Sequence, residues 1–177
     1  MSITKPSFKQ GALAAAVAAL VGGLAAGSVE AAPDYFSRFG GAWQGGGQVK
    51  VKQLPSPTSV SCNVSGTRNG QRSFTIAGNC RAMVLLNREI AARLTYEPKG
   101  NLYRGTYTGS TSGPATLAGK LKGDTLDLRV KWAKKIYDDD VARMLIRNSG
   151  GGAFTMQVVE RIDGRNVVVS DLSFRGR

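Results

Sequence analysis

The chain contains no histidine. Serine and cysteine nucleophile systems that rely on an imidazole base are therefore excluded, as are zinc sites with histidine ligands. Cysteine is almost as scarce, with Cys62 and Cys80 the only two. Their spacing is far from the Cys-x-x-Cys of redox proteins, and no histidine stands by to activate either thiol. Acidic residues are few: 12 Asp and Glu stand against 24 Lys and Arg, a formal net charge of +12. No glycine-rich loop follows a strand and opens a helix, as phosphate binding requires. Gly45, Gly46 and Gly47 lie between Trp43 and a strand, and Gly150, Gly151 and Gly152 precede another. Both runs read as bends or loops.

What the chain does have begins with residues 1–31, which read as a secretory signal peptide. Lys5 and Lys9 give a basic start, residues 11–26 are an unbroken run of Ala, Val, Leu and Gly, and Val29 and Ala31 are the small residues of a cleavage site. An uncleaved anchor is the alternative, since the run approaches the roughly 20 residues of a spanning helix. Its Ala and Gly content makes a weak anchor, and no cysteine near the cleavage site offers a lipid tether. The expected location is the periplasm or the extracellular space. The expected organisation is residues 1–31 as signal peptide, 32–41 as N-terminal extension and 42–177 as one barrel domain.

Cleavage removes two of the 24 basic and one of the 12 acidic side chains, leaving a net charge of +11. The basic residues are spread along the whole chain, with no basic tail. A folded surface of this charge attracts anionic polymers or membranes, and the attraction weakens with salt. The alternative is that the charge only keeps an exported protein in solution. Nucleic acid is not expected as a physiological partner after export, and the protein is expected to be a monomer. In an oxidising compartment Cys62 and Cys80 read as one disulfide. Closing that loop contributes about 3 kcal/mol in the chain-entropy model.

From about residue 42 onward the chain alternates with period two in short segments closed by turn signals. Val49 and Val51 oppose Lys50 and Lys52. Residues 59–64 and then Phe74 and Ile76 flank an Asn69-Gly70 turn, so the disulfide would join the two strands beside it. Residues 91–97 and 102–109 form a hairpin about Lys99-Gly100-Asn101. Leu126, Leu128, Val130 and Trp132 alternate with Thr125, Asp127, Arg129 and Lys131. Residues 154–162 and 167–174 flank an Asp163-Gly164 turn. Residues 83–90 read as either a helical turn or a strand. Residues 138–147 read as one short helix, with Asp138, Asp139 and Asp140 at its start, where carboxylates suit the dipole. The predicted fold is all-β: an antiparallel meander of eight to ten strands in a small closed or nearly closed barrel, which hides its edges by closure.

Gly40-Gly41-Ala42-Trp43, leading into the first strand, resembles the Gly-x-Trp opening of the calycin superfamily of lipocalins, avidin-type proteins and bacterial metalloprotease inhibitors. The single disulfide and exported meander are similar to the inhibitor branch. The resemblance covers about four residues plus the architecture. It implies a barrel with Trp43 packed across its closed end and a ligand mouth framed by loops at the other.

Candidate site residues are few. Tyr96, Tyr103 and Tyr107 lie in one hairpin, with Arg93, Lys99 and Arg104 close by. Aromatic faces interleaved with cations stack sugars or bases while the charges hold anionic groups; ordinary cross-strand pairing is the alternative. Glu89, Glu97, Asp127, Glu160 and Asp171 are the acids from which a glycosidase-type pair would be drawn, though the alternation places most of them toward solvent. Asp138–Asp140 lacks the spacing of a calcium loop. No catalytic residue, metal or cofactor is expected. The leading expectation is a non-enzymatic exported barrel whose cationic face engages an anionic envelope partner: acidic polysaccharide, lipopolysaccharide or a lipid surface. A lipocalin-like carrier of a small apolar ligand is the second. A protease inhibitor acting through residues 33–39 is the third. An integral outer-membrane barrel would need an apolar outer face, whereas lysines and arginines oppose the apolar positions here.

Overall fold

The computed structural model describes residues 35–82 and 86–177. Ten antiparallel strands follow one another around a closed barrel: β1 (Gly41–Val49), β2 (Thr58–Arg68), β3 (Ser73–Ala82), β4 (Leu86–Glu97), β5 (Leu102–Thr108), β6 (Ala115–Lys122), β7 (Thr125–Lys131), β8 (Val141–Arg147), β9 (Ala153–Ile162) and β10 (Arg165–Gly176). Each pairs with its sequence neighbours, and β1 closes the ring on β10 with Trp43 opposite Gly176 and Val49 opposite Ser170. Closure gives every strand a paired neighbour on both sides. The all-β meander expected from the period-two pattern is thus what the chain forms. The expected signal peptide, residues 1–31, lies outside the described residues, as do residues 83–85 of the ambiguous 83–90 segment; residues 86–90 belong to β4.

One expected element is corrected. Residues 141–147 form strand β8 and not a helix, with Ala142, Met144 and Ile146 buried and Arg143 and Arg147 exposed. The physical reason is the period: Ala, Met and Ile recur every second residue, which buries one face of a strand and would wrap around a helix. Asp139 does not cap a helix. Its Oδ1 accepts a hydrogen bond from the Val141 amide at 2.9 Å, at the start of the strand. The helical structure described is a short turn at residues 35–37.

The same alternation supplies the core. Leu126, Leu128 and Val130 of β7 are fully buried, and Phe154, Met156 and Val158 of β9 face the same core. The Cys62–Cys80 disulfide bridges directly opposed positions on β2 and β3. It fits an oxidising, non-cytoplasmic compartment.

The two barrel ends differ. At the end holding both β1's start and β10's finish, the chain before β1 turns inward, and Tyr35, Phe36 and Phe39 are buried among barrel aromatics. Phe36 packs on Phe74 at 4.3 Å between ring centroids, Phe39 stacks on Phe74 at 5.0 Å, and Trp43 meets Phe154 edge-on at 5.0 Å. Trp43 donates its indole N–H to the Phe39 carbonyl at 2.8 Å. Residues 35–40 of the expected N-terminal extension are therefore part of the barrel, as its plug. Arg38 fastens the plug from outside: its guanidinium binds Asp124 at 2.8 Å and the Asn148 carbonyl at 2.9 Å, and Asn148 returns a hydrogen bond to the Arg38 carbonyl at 2.8 Å. The Tyr35 hydroxyl donates to the Ile146 carbonyl at 3.0 Å, and burial raises its pKa.

Candidate functional site

The opposite end is open. Residues 50–54, 109–112, 132 and 134–137 border a cavity of about 670 Å³ that runs into the barrel. Val49, Val60, Ile90, Val158, Val169 and Leu172 supply apolar wall, and Cys80 of the disulfide lies among them. A cavity of this size and lining matches small-molecule sites in general. Lys50, Lys52, Arg88, Lys134 and Lys135 stand among the residues that border it. None of these five cations is ion-paired among the described residues; the five salt bridges of the barrel involve Arg38, Arg104, Lys122, Lys131 and Arg143 instead.

One side of the cavity is polar. Glu160 of β9 is only 2% exposed. Its Oε1 accepts the Trp132 indole N–H at 2.7 Å, while its Oε2 has no hydrogen-bond partner among the described residues. Burial, reinforced by the nearby Asp139 carboxylate and opposed by the Trp132 bond, pushes the Glu160 pKa up to about 7. Tyr107 of β5 stands edge-on to Trp132 at 6.2 Å, and burial raises its pKa to about 12 against the pull of Arg88. The Tyr137 hydroxyl donates to the Lys50 carbonyl at 3.0 Å and so ties the 132–140 loop to the 50–57 loop. Gly109 follows β5 with φ of 128°, and a Cβ there would come within 2.9 Å of the Tyr107 hydroxyl. That position needs glycine for both reasons.

The structure divides the expected tyrosine and cation cluster between two faces. Tyr96 and Tyr103 point inward at the plugged end, where their rings pack at 5.0 Å, and only Tyr107 reaches the cavity. Arg93, Lys99 and Arg104 are exposed on the outside, and Arg104 pairs with Glu97 at 3.1 Å. Neighbouring strands bring these residues close along the ladder, but the pleat sends the two sets to opposite sides of the wall. The acids separate likewise. Glu89, Glu97 and Asp171 are exposed. Asp127 lies on the outer wall between Arg143 and Lys122, which together hold its pKa down at about 2. Glu160 alone of that set lines the cavity, so no two of those five acids are brought together there. The parity of β9 contained the signal: Glu160 follows Phe154, Met156 and Val158 at every second position. Among the described residues no group of three or more His, Cys, Asp or Glu side chains is placed to hold a metal.

Fold and site together define a small one-mouthed β-barrel with an internal cavity. The crystal structure of Rv2717c from M. tuberculosis is similar to it, with a TM-score of 0.59 and 18% identity over 83% of this chain and 98% of that one. At this identity the likeness is one of fold, and it reaches the small β-barrel without extending to the calycin families. No family model and no curated protein matches the sequence.

Proposed function

We propose that this protein is an exported binding barrel that carries a small, largely apolar ligand in its open end. The observation that carries this reading is the 670 Å³ cavity, walled by aliphatic side chains and open at one end only because Tyr35, Phe36 and Phe39 plug the other. Filled barrels offer no such space, whereas carriers hold one ligand in it. The signal peptide read in residues 1–31 and the disulfide support a role outside the cytoplasm. The inhibitor reading is less well supported, since residues 35–39 are folded into the barrel and not presented to a protease.

The test is native mass spectrometry of the mature protein with uptake of anilinonaphthalene sulfonate. One apolar ligand per chain, or saturable dye uptake that Val158→Trp abolishes without loss of the fold, is expected. A protein that is purified empty and takes up no dye overturns the carrier.

A second reading keeps the cationic face as a docking surface for an anionic envelope polymer or lipid. It is favoured by the gathering at the mouth of five cations with no ion-pair partner among the described residues, where ligand transfer would take place.

A further inference from the structure

Glu160 is the residue of the cavity that the apolar walls do not explain. It is almost fully buried, yet one carboxyl oxygen has no hydrogen-bond partner among the described residues. An indole N–H can only donate, so Oε1, which receives the Trp132 N–H at 2.7 Å, is an acceptor in either protonation state. When the group is neutral its proton therefore sits on Oε2, as a donor without an acceptor. Burying such a group unpaired is unfavourable unless a ligand completes it.

The charges around the mouth decide what that ligand group is. A cationic group would suit an ionised Glu160, but Lys50, Lys52, Arg88, Lys134 and Lys135 border the cavity and oppose it. A neutral oxygen acceptor meets no such opposition, and an anionic one is attracted by those five cations and opposed by Asp139. Resting on the carrier reading above, we propose that Glu160, which lines the cavity, turns its Oε2–H into it to donate a hydrogen bond to the carbonyl or carboxyl oxygen of an apolar-chain ligand, and that the mouth cations favour the free acid over its ester.

The surroundings of Glu160 support a proton held there. Trp132 faces it from the end of β7, and Tyr137 and Asp139 face it from the 132–140 loop. Ala142 of β8 and Val167 of β10 flank it in the ladder and carry no charge. Burial and, to a smaller extent, Asp139 oppose ionisation and push the Glu160 pKa up to about 7 against the Trp132 hydrogen bond. Raising the pH through that value removes the donor and places a negative charge against the ligand oxygen. Affinity therefore falls with rising pH.

The probes are cis-parinaric acid and its methyl ester, followed by fluorescence titration of the mature protein from about pH 5 to about pH 9. Wild type is expected to bind the ester about tenfold more weakly at the alkaline end, the size of one lost hydrogen bond. Glu160→Gln keeps a donor and loses the titration, so its affinity stays within about threefold of the acid-side value at every pH. Glu160→Leu weakens binding about tenfold on the acid side and flattens the profile. Added salt weakens the acid and leaves the ester unchanged. Thermal melts of both variants establish that each is folded, and the near-isosteric glutamine keeps the test informative where the leucine variant fails to fold. A wild-type pH profile that both variants reproduce overturns the role of Glu160. Failure of both probes, with some other molecule found in the cavity by mass spectrometry, overturns the ligand class and leaves the carrier standing. Failure of both probes with an empty cavity overturns both.

Discussion

Tyr103 illustrates how a single residue separates packing from chemistry in this barrel. Its ring is fully buried between Phe36 and Tyr96, yet its hydroxyl has no hydrogen-bond partner among the described residues. Burial pushes its pKa up to about 12, so it is neutral across the physiological range. Tyr103→Phe removes an unsatisfied polar atom and little packing, and is expected to leave stability unchanged or raise it by up to about 1 kcal/mol in chemical denaturation. A loss above that size would reveal a hidden partner for the hydroxyl. Glu160 shows the opposite sign of pH effect from the ion-paired acids. Its folded pKa is raised from 4.5 to about 7, so its neutral form is favoured in the fold and its contribution is lost as pH rises through that range. The Asp127 pKa is lowered from 3.8 to about 2, so the contribution of that group is present above the higher value and lost as pH falls through the lower. The pair with Arg143 is on the surface, so this contribution stays within about 1 kcal/mol.

At the scale of elements, β2 and β3 are held by both a ladder and a covalent bond. Cys62 is fully buried, and both cysteines belong to the core. Replacing both with alanine opens a loop of 18 residues in sequence separation. It is expected to cost about 3 kcal/mol, read as a lower midpoint in guanidinium with the native circular dichroism retained. An unchanged midpoint would mean that the barrel is indifferent to the bridge. The first strand is limited by contact rather than by entropy. A Cβ at Gly45 would strike the Ser173 carbonyl oxygen on β10, and one at Gly46 the Val60 carbonyl oxygen on β2. Such close approach is where β1 closes the ring, and it explains a glycine run inside a strand. How legible these elements were depended on their period. β7 alternates without exception and was evident from residues 125–132. β8 was masked by the three aspartates before it, whose preference for helix starts competes with a period-two pattern only seven residues long.

At the scale of the whole molecule the question is where the positive charge works. The excess is spread over the surface, but among the described residues the cations bordering the cavity lack ion-pair partners while Arg143, Lys122 and Lys131 on the outer wall have them. The mature protein is expected to sediment with vesicles containing anionic lipid and to be released by salt as exposed charges are screened. Lys134→Glu combined with Lys135→Glu is expected to weaken that association more than Arg129→Glu on the outer wall does. Equal losses would place the interaction in the net charge and not at the mouth.

Several properties were determined by the sequence alone, because they depend on composition and on neighbours along the chain. The absence of histidine, the charge excess, the single cysteine pair and the alternation that makes an all-β barrel are of this kind. Even the inward parity of Glu160 is written in β9, although nothing local says that an indole N–H rather than solvent awaits it. Only the tertiary structure decided the rest. It turned the tyrosines of β4 and β5 away from the arginines beside them, folded residues 35–40 into one end as a plug, and left the other end hollow. It also set Trp132 against Glu160 across 28 residues of chain. The reason is that enclosure is a property of all ten strands at once: whether a barrel is filled or empty depends on how side chains from every strand meet along its axis, and no stretch of sequence contains that sum.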